Sequence, residues 1–301
     1  MKSFLQGLLP VFDRKWKNVR AVCGLRTCQN KMLMRAVPQN RTGINAGDVW
    51  YCSVDCFVSS ARMRFSALPG RPTEMPHSPR LSVGLVMLSK GYLTDDQLRT
   101  AVEQSQRRGE DLEVSLIRLG LAGERQIAAA RAAQWGYPFF GSERTAQAIE
   151  VDIPVSLLRE YFAAPLHYSA GTNRLVLGFV YRVEHSFLHS LEQITGYRVE
   201  PCFITRTEFK EQMERVTGAA DWDEVYYEES GTPAQMARIL GSHAVEIAAT
   251  EATFAQCRNF SWARLCGKRG KIDIILRVRE AVNASRMNTY ELLQESMATL
   301  G

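Results

Sequence analysis

The sequence predicts an α+β chain: a helical-hairpin repeat and a small α/β layer, with a small cysteine-rich module in front and a helix-plus-hairpin unit behind. Three observations carry this reading. Residues Ser82 to Gln134 contain one helix–turn–helix unit written twice. Between Ile153 and Val216, short apolar runs of strand character alternate with helical ones. Ahead of both lie two pairs of cysteines, Cys23 with Cys28 and Cys52 with Cys56.

Composition narrows the class before any motif is read. A chain of 301 residues has room for two or three domains and a sizeable core. The net charge of +5 is mild and its basic residues are spread out, which argues only weakly for nucleic acid. No apolar run approaches the length that spans a bilayer. The start, Met1–Leu9, has too short an apolar part for a signal peptide and no small-residue cleavage site. Seven cysteines without an export signal point to reduced thiols or metal ligands rather than a disulfide framework.

Residues 1–67 form the first part. Phe4, Leu8, Phe12 and Trp16 recur every four residues, the stripe of an amphipathic helix that Pro10 delays or kinks. That stripe either packs on the next module or, helped by Lys15, Lys17 and Arg20, docks on a partner or a membrane surface. Beyond the first cysteine pair, Pro38 to Asp48 is turn-rich and suits a hairpin. Val49–Tyr51 reads as a short strand, and Ser53 can cap a helix running to about Ser66. Two ligands from a turn and two from a helix start would place Cys23, Cys28, Cys52 and Cys56 around one tetrahedral zinc. The alternative is four unconnected thiols acting as small apolar residues. The block is too short to bury a core without a staple, which favours zinc.

Prolines and glycine at 69–72 and 76–79 sustain neither helix nor central strand, so residues 68–80 read as a linker. The next part is 81–217. A shift of twenty-nine residues superposes Met87 on Leu116, Gly91 on Gly120, Gln97 on Gln126, Leu98 on Ile127 and Ala101 on Ala130. Gly91 and Gly120 stand where a left-handed residue ends a helix. Thr94 and Gln97 have the spacing of a capping box, and Gly123 is the weaker cap of the second copy. After the repeat, Leu157–Tyr161 reads as a short helix. His167–Ser169 and Leu175–Phe179 read as paired strands, Val183–Ile194 as a helix, Arg198–Ile204 as a strand and Arg206–Val216 as a last helix. His185 and His189 lie one turn apart but beside the buried stripe, with no further ligand near, so they are not expected to bind metal.

Residues 218–233 are acidic and of low propensity, which reads as a second linker. In 234–301, Pro233 opens a helix to about Ala248. Two strands, Ser261–Leu265 and Ile272–Val278, flank the basic tip Cys266–Lys271.

The two copies, Ser82–Ser105 and Asp111–Gln134, resemble the tandem motif of the MshEN domain. That domain stands at the N-terminus of type II secretion and type IV pilus assembly ATPases. The motif begins Arg-Leu-Gly, has a glycine near its tenth place, and closes on a glutamine. The resemblance continues through Gln134-Trp135-Gly136-Tyr137-Pro138, Ile153-Pro154, Leu157-Leu158, Pro165-Leu166, Gly171, Arg174-Leu175 and Thr195-Gly196-Tyr197-Arg198-Val199. More faintly, Lys271-Ile272-Asp273-Ile274 is similar to the Arg-Ile-Asp-Gly of the small domain before the ATPase core. Trp50–Cys56 is similar to the second knuckle of FCS-type and treble-clef zinc fingers, while the first pair has four intervening residues instead of the common two.

The resemblance implies a set of expectations. Ligand-binding members of the family hold cyclic di-GMP; the residues that would serve here are Gly84, Gly91, Gly120 and Gln134, with Arg80, two residues ahead of the motif, as the substitute for its missing arginine if the chain there is irregular. The first copy has Ser82-Val83-Gly84 and the second Asp111-Leu112-Glu113 in place of Arg-Leu-Gly. Losing two charge-assisted contacts at about 1.5–3 kcal/mol each predicts that cyclic di-GMP binding is lost or badly weakened. No phosphate-binding loop occurs, because Gly267-Lys268 and Gly270-Lys271 are followed by Arg and Ile. The chain is therefore expected to be no enzyme. The function expected is a regulatory or adaptor protein of a secretion or pilus assembly system, cytoplasmic and peripheral to the inner membrane. Its partners would be assembly proteins that the sequence does not name. The alternatives are a cyclic di-GMP receptor module and a zinc-finger nucleic-acid-binding protein.

Overall fold

The computed structural model describes residues 23–28, 43–67, 80–141, 149–219, 223–228, 231–257 and 260–277. The N-terminal stripe Phe4–Trp16 and the proline-rich run 69–79 lie outside the described residues, as does the chain beyond 277.

The repeat folds as four helices: α2 (Val83–Ser89), α3 (Asp95–Arg108), α4 (Leu112–Arg118) and α5 (Glu124–Trp135). Met87, Ala101, Leu116 and Ala130 are fully buried between them, two from each copy at matching places. Gly91 and Gly120 take φ of +70° and +65° just past the ends of α2 and α4, a conformation a β-carbon would resist. The capping box of the first copy is complete. The Gln97 amide N–H donates to Thr94 Oγ1 at 3.3 Å, and the Thr94 N–H donates to Gln97 Oε1 at 2.9 Å. In the second copy glycine has no side chain to give, yet Gln126 Oε1 still accepts from the Gly123 N–H at 2.9 Å.

After α5 the chain turns at Gly136 and lays Phe139 beside Phe203 as a one-residue parallel bridge. The layer behind it comprises α6 (Val155–Glu160), β3 (Ala163–Ser169), β4 (Arg174–Phe179), α7 (His185–Thr195), β5 (Arg198–Phe203) and α8 (Arg206–Ala219). Its sheet has the order β3-β4-β5, antiparallel then parallel, with α7 as the crossover. β3 begins four residues earlier than its apolar pattern announced. Ala163-Ala164-Pro165 has little strand propensity, but β3 is an edge strand, and its register breaks just after Pro165.

A second sheet collects strands from both ends of the described chain. β1 (Ile44–Ala46) and β2 (Val49–Tyr51) form a hairpin followed by α1 (Val54–Ser66). β6 (Glu224–Tyr227), α9 (Pro233–Glu246), β7 (Ala249–Cys257), β8 (Phe260–Gly267) and β9 (Gly270–Arg277) come from the other end. The strand order is β2-β1-β7-β8-β9-β6, with β1 parallel to β7 and β6 parallel to β9. One face is covered by α1 and α9, burying Phe57, Leu240, Leu265, Ile274 and Leu276. The other face presents Trp262, Ile275 and Phe260 to the core that includes Phe187 and Leu191 of α7. Burial on both faces explains why β9 reads as a nearly unbroken apolar run.

Two elements here had no sequence forecast. β7 is built largely of alanine, threonine and glutamate, and β6 lies in the acidic run 218–233. Glu224 of β6 accepts from the N–H groups of Val155 and Ser156 at 2.6 and 3.1 Å, capping α6. The Tyr227 hydroxyl meets His243 Nε2 of α9 at 2.9 Å.

The two sheets' bodies are joined by a buried ionic constellation. Arg264 of β8 grips both oxygens of Asp273 of β9 at 2.8 Å. It also donates at 2.8 Å to the carboxylate and the carbonyl of Asp152, ahead of α6. Trp262 Nε1 donates to Asp273 at 2.9 Å, and Lys271 pairs with Asp152. Asp273 is 1% exposed and Arg264 6%, so burial works against the guanidinium's charge. Asp273 and Asp152 outweigh it and hold the group above its ordinary range.

Candidate metal centre

The four cysteines of the front module converge. Their sulfurs all lie within 4.8 Å of one another, the only such grouping of potential ligands among the described residues. Cys52 Sγ is 3.6 Å from Cys28 Sγ and 3.6 Å from Cys56 Sγ. A tetrahedron with metal–sulfur bonds of about 2.3 Å has edges of about 3.8 Å, so the spacing suits one tetrahedral ion.

Local structure sets this arrangement. The first pair flanks a tight turn, in which the Cys28 N–H donates to the Leu25 carbonyl at 2.9 Å. That loop is pinned to β2 by a 2.8 Å bond from the Gly24 N–H to the Trp50 carbonyl. The second pair brackets the start of α1, where Ser53 Oγ caps the helix by accepting from the Cys56 N–H at 3.2 Å. A 2.7 Å contact between Tyr51 Oη and Ser60 Oγ fixes β2 against α1. No disulfide joins cysteines among the described residues.

The thiols polarise one another. At Cys23 burial opposes ionisation, but N–H groups of Cys52 and Leu25 and the Cys28 and Cys52 thiols outweigh it and hold the group below its usual value. Burial and its bonded neighbours Cys28 and Cys56 push Cys52 up to about 12. Several thiolates so close together repel one another, and a cation among them relieves that repulsion. Cys202 and Cys257 lie elsewhere, pushed to about 12 by burial, and behave as inert apolar residues. His185 stands at the first turn of α7, its ring 6.4 Å from that of Tyr137.

The five positions marked for a nucleotide ligand have other engagements. The Arg80 guanidinium lies 3.4 Å above the Trp135 ring, and neighbouring Gln134 donates to the Leu81 carbonyl, so these two sit together beside α2. Gly84 is a packing residue. A β-carbon there would come within 2.7 Å of Leu98 Cδ1 and 3.1 Å of Leu112 Cδ2. Gly91 and Gly120 take left-handed conformations just past the ends of α2 and α4. In the second copy, Glu113 pairs with Arg131, which also donates to the Tyr181 carbonyl. Arg206 donates to the hydroxyl of the same Tyr181.

No family model matches the chain. It is 27% identical over 129 residues to the type IV pilus assembly ATPase PilB of Thermus thermophilus, a match covering 42% of the chain and 14% of that relative's length. Among solved structures it is similar to MshE with cdg, at 20% identity over 46% of this chain and 99% of that one, with a TM-score of 0.37. It is also similar to the N-terminal domain of XpsE, at 23% identity over 44% and 92%, with a TM-score of 0.34. The likeness to the pilus assembly ATPase agrees with the family that the repeated motif resembles, and the chain spans only a small part of that relative's length.

Proposed function

We infer that the chain is a non-catalytic regulatory or adaptor protein of a type II secretion or type IV pilus assembly system, with a structural zinc ion held by Cys23, Cys28, Cys52 and Cys56. One observation carries this reading. The likeness to a pilus assembly ATPase takes up 42% of the chain, while the four-cysteine module sits in a sheet shared with the C-terminal helix-and-hairpin unit. The reading makes the chain a soluble component that works at the inner membrane, with assembly proteins as partners. Among the described residues no helix is long and apolar enough to cross a membrane. The test is affinity capture from native cells beside steady-state phosphate release by the repurified chain. Recovery of assembly proteins without triphosphate hydrolysis supports the proposal, and turnover that survives repurification overturns its non-catalytic part.

A cyclic di-GMP receptor is the second reading, raised by the repeated motif and by Arg80 and Gln134 lying together beside α2. Against it stand the commitment of Glu113 to Arg131, of Gly84 to helix packing and of Arg80 to Trp135. Calorimetric titration at low salt decides between them. A dissociation constant of about 1 μM or tighter establishes the receptor, and Arg80 and Gly84 are then the residues to substitute. Nucleic-acid binding through the cysteine module is disfavoured because α1 buries Phe57, Ala61 and Phe65 against the sheet and α9. Binding that fell steeply with salt would reverse that conclusion.

A further inference from the structure

The geometry points to a metal clasp: the ion at Cys23, Cys28, Cys52 and Cys56 holds the front module in the docked form that completes the C-terminal sheet, so metal occupancy and docking are thermodynamically coupled. The inference rests on the zinc reading above and adds to it what the metal controls.

The strands of the module do little to fix it by themselves. β1 and β2 are three residues each, and so short a hairpin has no independent stability. β1 meets β7 through only two residue pairs, Asn45 with Glu251 and Ala46 with Ala252, extended by a 3.3 Å bond from the Gly47 N–H to the Ala252 carbonyl. α1 makes the larger contact. Phe57 and Phe65 pack on Phe254 of β7 with ring centroids 5.8 and 6.5 Å away. Val58 lies against Gly241 of α9 so closely that a β-carbon there would come within 2.6 Å of Val58 Cγ2.

Both contacts form at once only if β1–β2 and α1 keep one mutual angle. The sulfur cluster sits at the vertex of that angle. Cys52 and Cys56 bracket the junction of β2 with α1, and the Cys23–Cys28 loop is bonded to β2 through Gly24. A tetrahedral ion joining all four sulfurs would rigidify this vertex, presenting β1 to β7 and α1 to α9 together. Linkage makes the effect reciprocal: what stabilises docking must tighten metal binding by the same factor.

The experiment uses the full chain and zinc as the probe. Zinc content is measured first, then hydrogen exchange is followed with zinc bound and after removal by a chelator. We expect zinc removal to speed exchange in β7 and α9 at least tenfold, while α3 and α5 are unchanged and report that the rest of the chain is folded. Independently, Gly241→Ala, which touches no sulfur but crowds Val58, should weaken zinc about tenfold in competition with a chromophoric chelator. Gly241→Val should weaken it further. Zinc bound stoichiometrically with no change in β7 and α9 exchange on its removal overturns the clasp and leaves the metal site standing. Unchanged zinc affinity in both Gly241 variants does the same. A chain that takes up no zinc overturns the metal site and the clasp with it.

Discussion

Replacing Arg264 by methionine should be among the most destabilising single changes in the chain. The residue is 6% exposed and its side chain donates four bonds of 2.8 Å, two to Asp273 and two to Asp152. Methionine fills much of the volume but leaves Asp273, 1% exposed, with Trp262 as its remaining partner in this constellation. Breaking a buried pair from one side costs about 3–5 kcal/mol, because an uncompensated charge remains. Asp273→Asn should cost less than Arg264→Met, since the guanidinium keeps Asp152 while the aspartate pairs with no second cation among the described residues. The double variant Arg264→Met, Asp273→Leu removes both charges and should fall short of the summed costs of Arg264→Met and Asp273→Leu measured singly by about 2 kcal/mol or more. Urea unfolding followed by tryptophan fluorescence, with slopes compared so that only midpoints change, supplies the numbers. A cost below about 1 kcal/mol for Arg264→Met, or strict additivity in the double variant, would refute the idea that this constellation is a coupled buried unit.

Three further outcomes are expected. Purified protein should carry one zinc per chain, and a Cys52→Ser, Cys56→Ser variant should lose it; full zinc in that variant by elemental analysis would remove the site. Gly84→Val should cost about 1–3 kcal/mol by pushing α2 off Leu98 and Leu112, whereas in Gly84→Ala about 0.5–1 kcal/mol of helix propensity offsets the crowding. Equal thermal stability of the two variants would contradict that packing role. Burial holds the Glu160 carboxyl above its ordinary range, against Arg277 and with help from Glu228. A raised folded-state value means the group favours folding when protonated, and that advantage is lost as pH rises through the raised value. Glu160→Gln should therefore raise the melting temperature near neutral pH and the gain should vanish in acid; the opposite pH trend would show the carboxylate to be stabilising.

Where local chemistry dictated an element, the sequence was legible. The twenty-nine-residue offset located all four hairpin helices, because Gly91, Gly120 and the Gln97 and Gln126 caps act within a few residues of their own position. The cysteine pairs marked the ligand set of the candidate metal centre for the same reason. β7 escaped, since its three alanines and its glutamate carry little strand signal and a central strand owes its stability to neighbours on both sides. The parallel pairing of β1 with β7 left no trace either, because pairing partners far apart in sequence are chosen by tertiary packing. Asp273 stood in a motif-like stretch, yet its partner Arg264 and the reach to Asp152 are set by sheet register and by docking between two layers.

The shared sheet also fixes a timetable. β1 leaves the ribosome well before its partners, for Glu251 and Ala252 follow about two hundred residues later. At synthesis rates of about 5–20 residues per second, that is a wait on the order of 10–40 s. Throughout it the cysteine module has neither β7 nor α9 to lean on. The hairpin repeat, whose contacts are local, can fold meanwhile. Closure of this sheet is thus a late event in the life of each new chain, in which strands made late complete a hairpin made early.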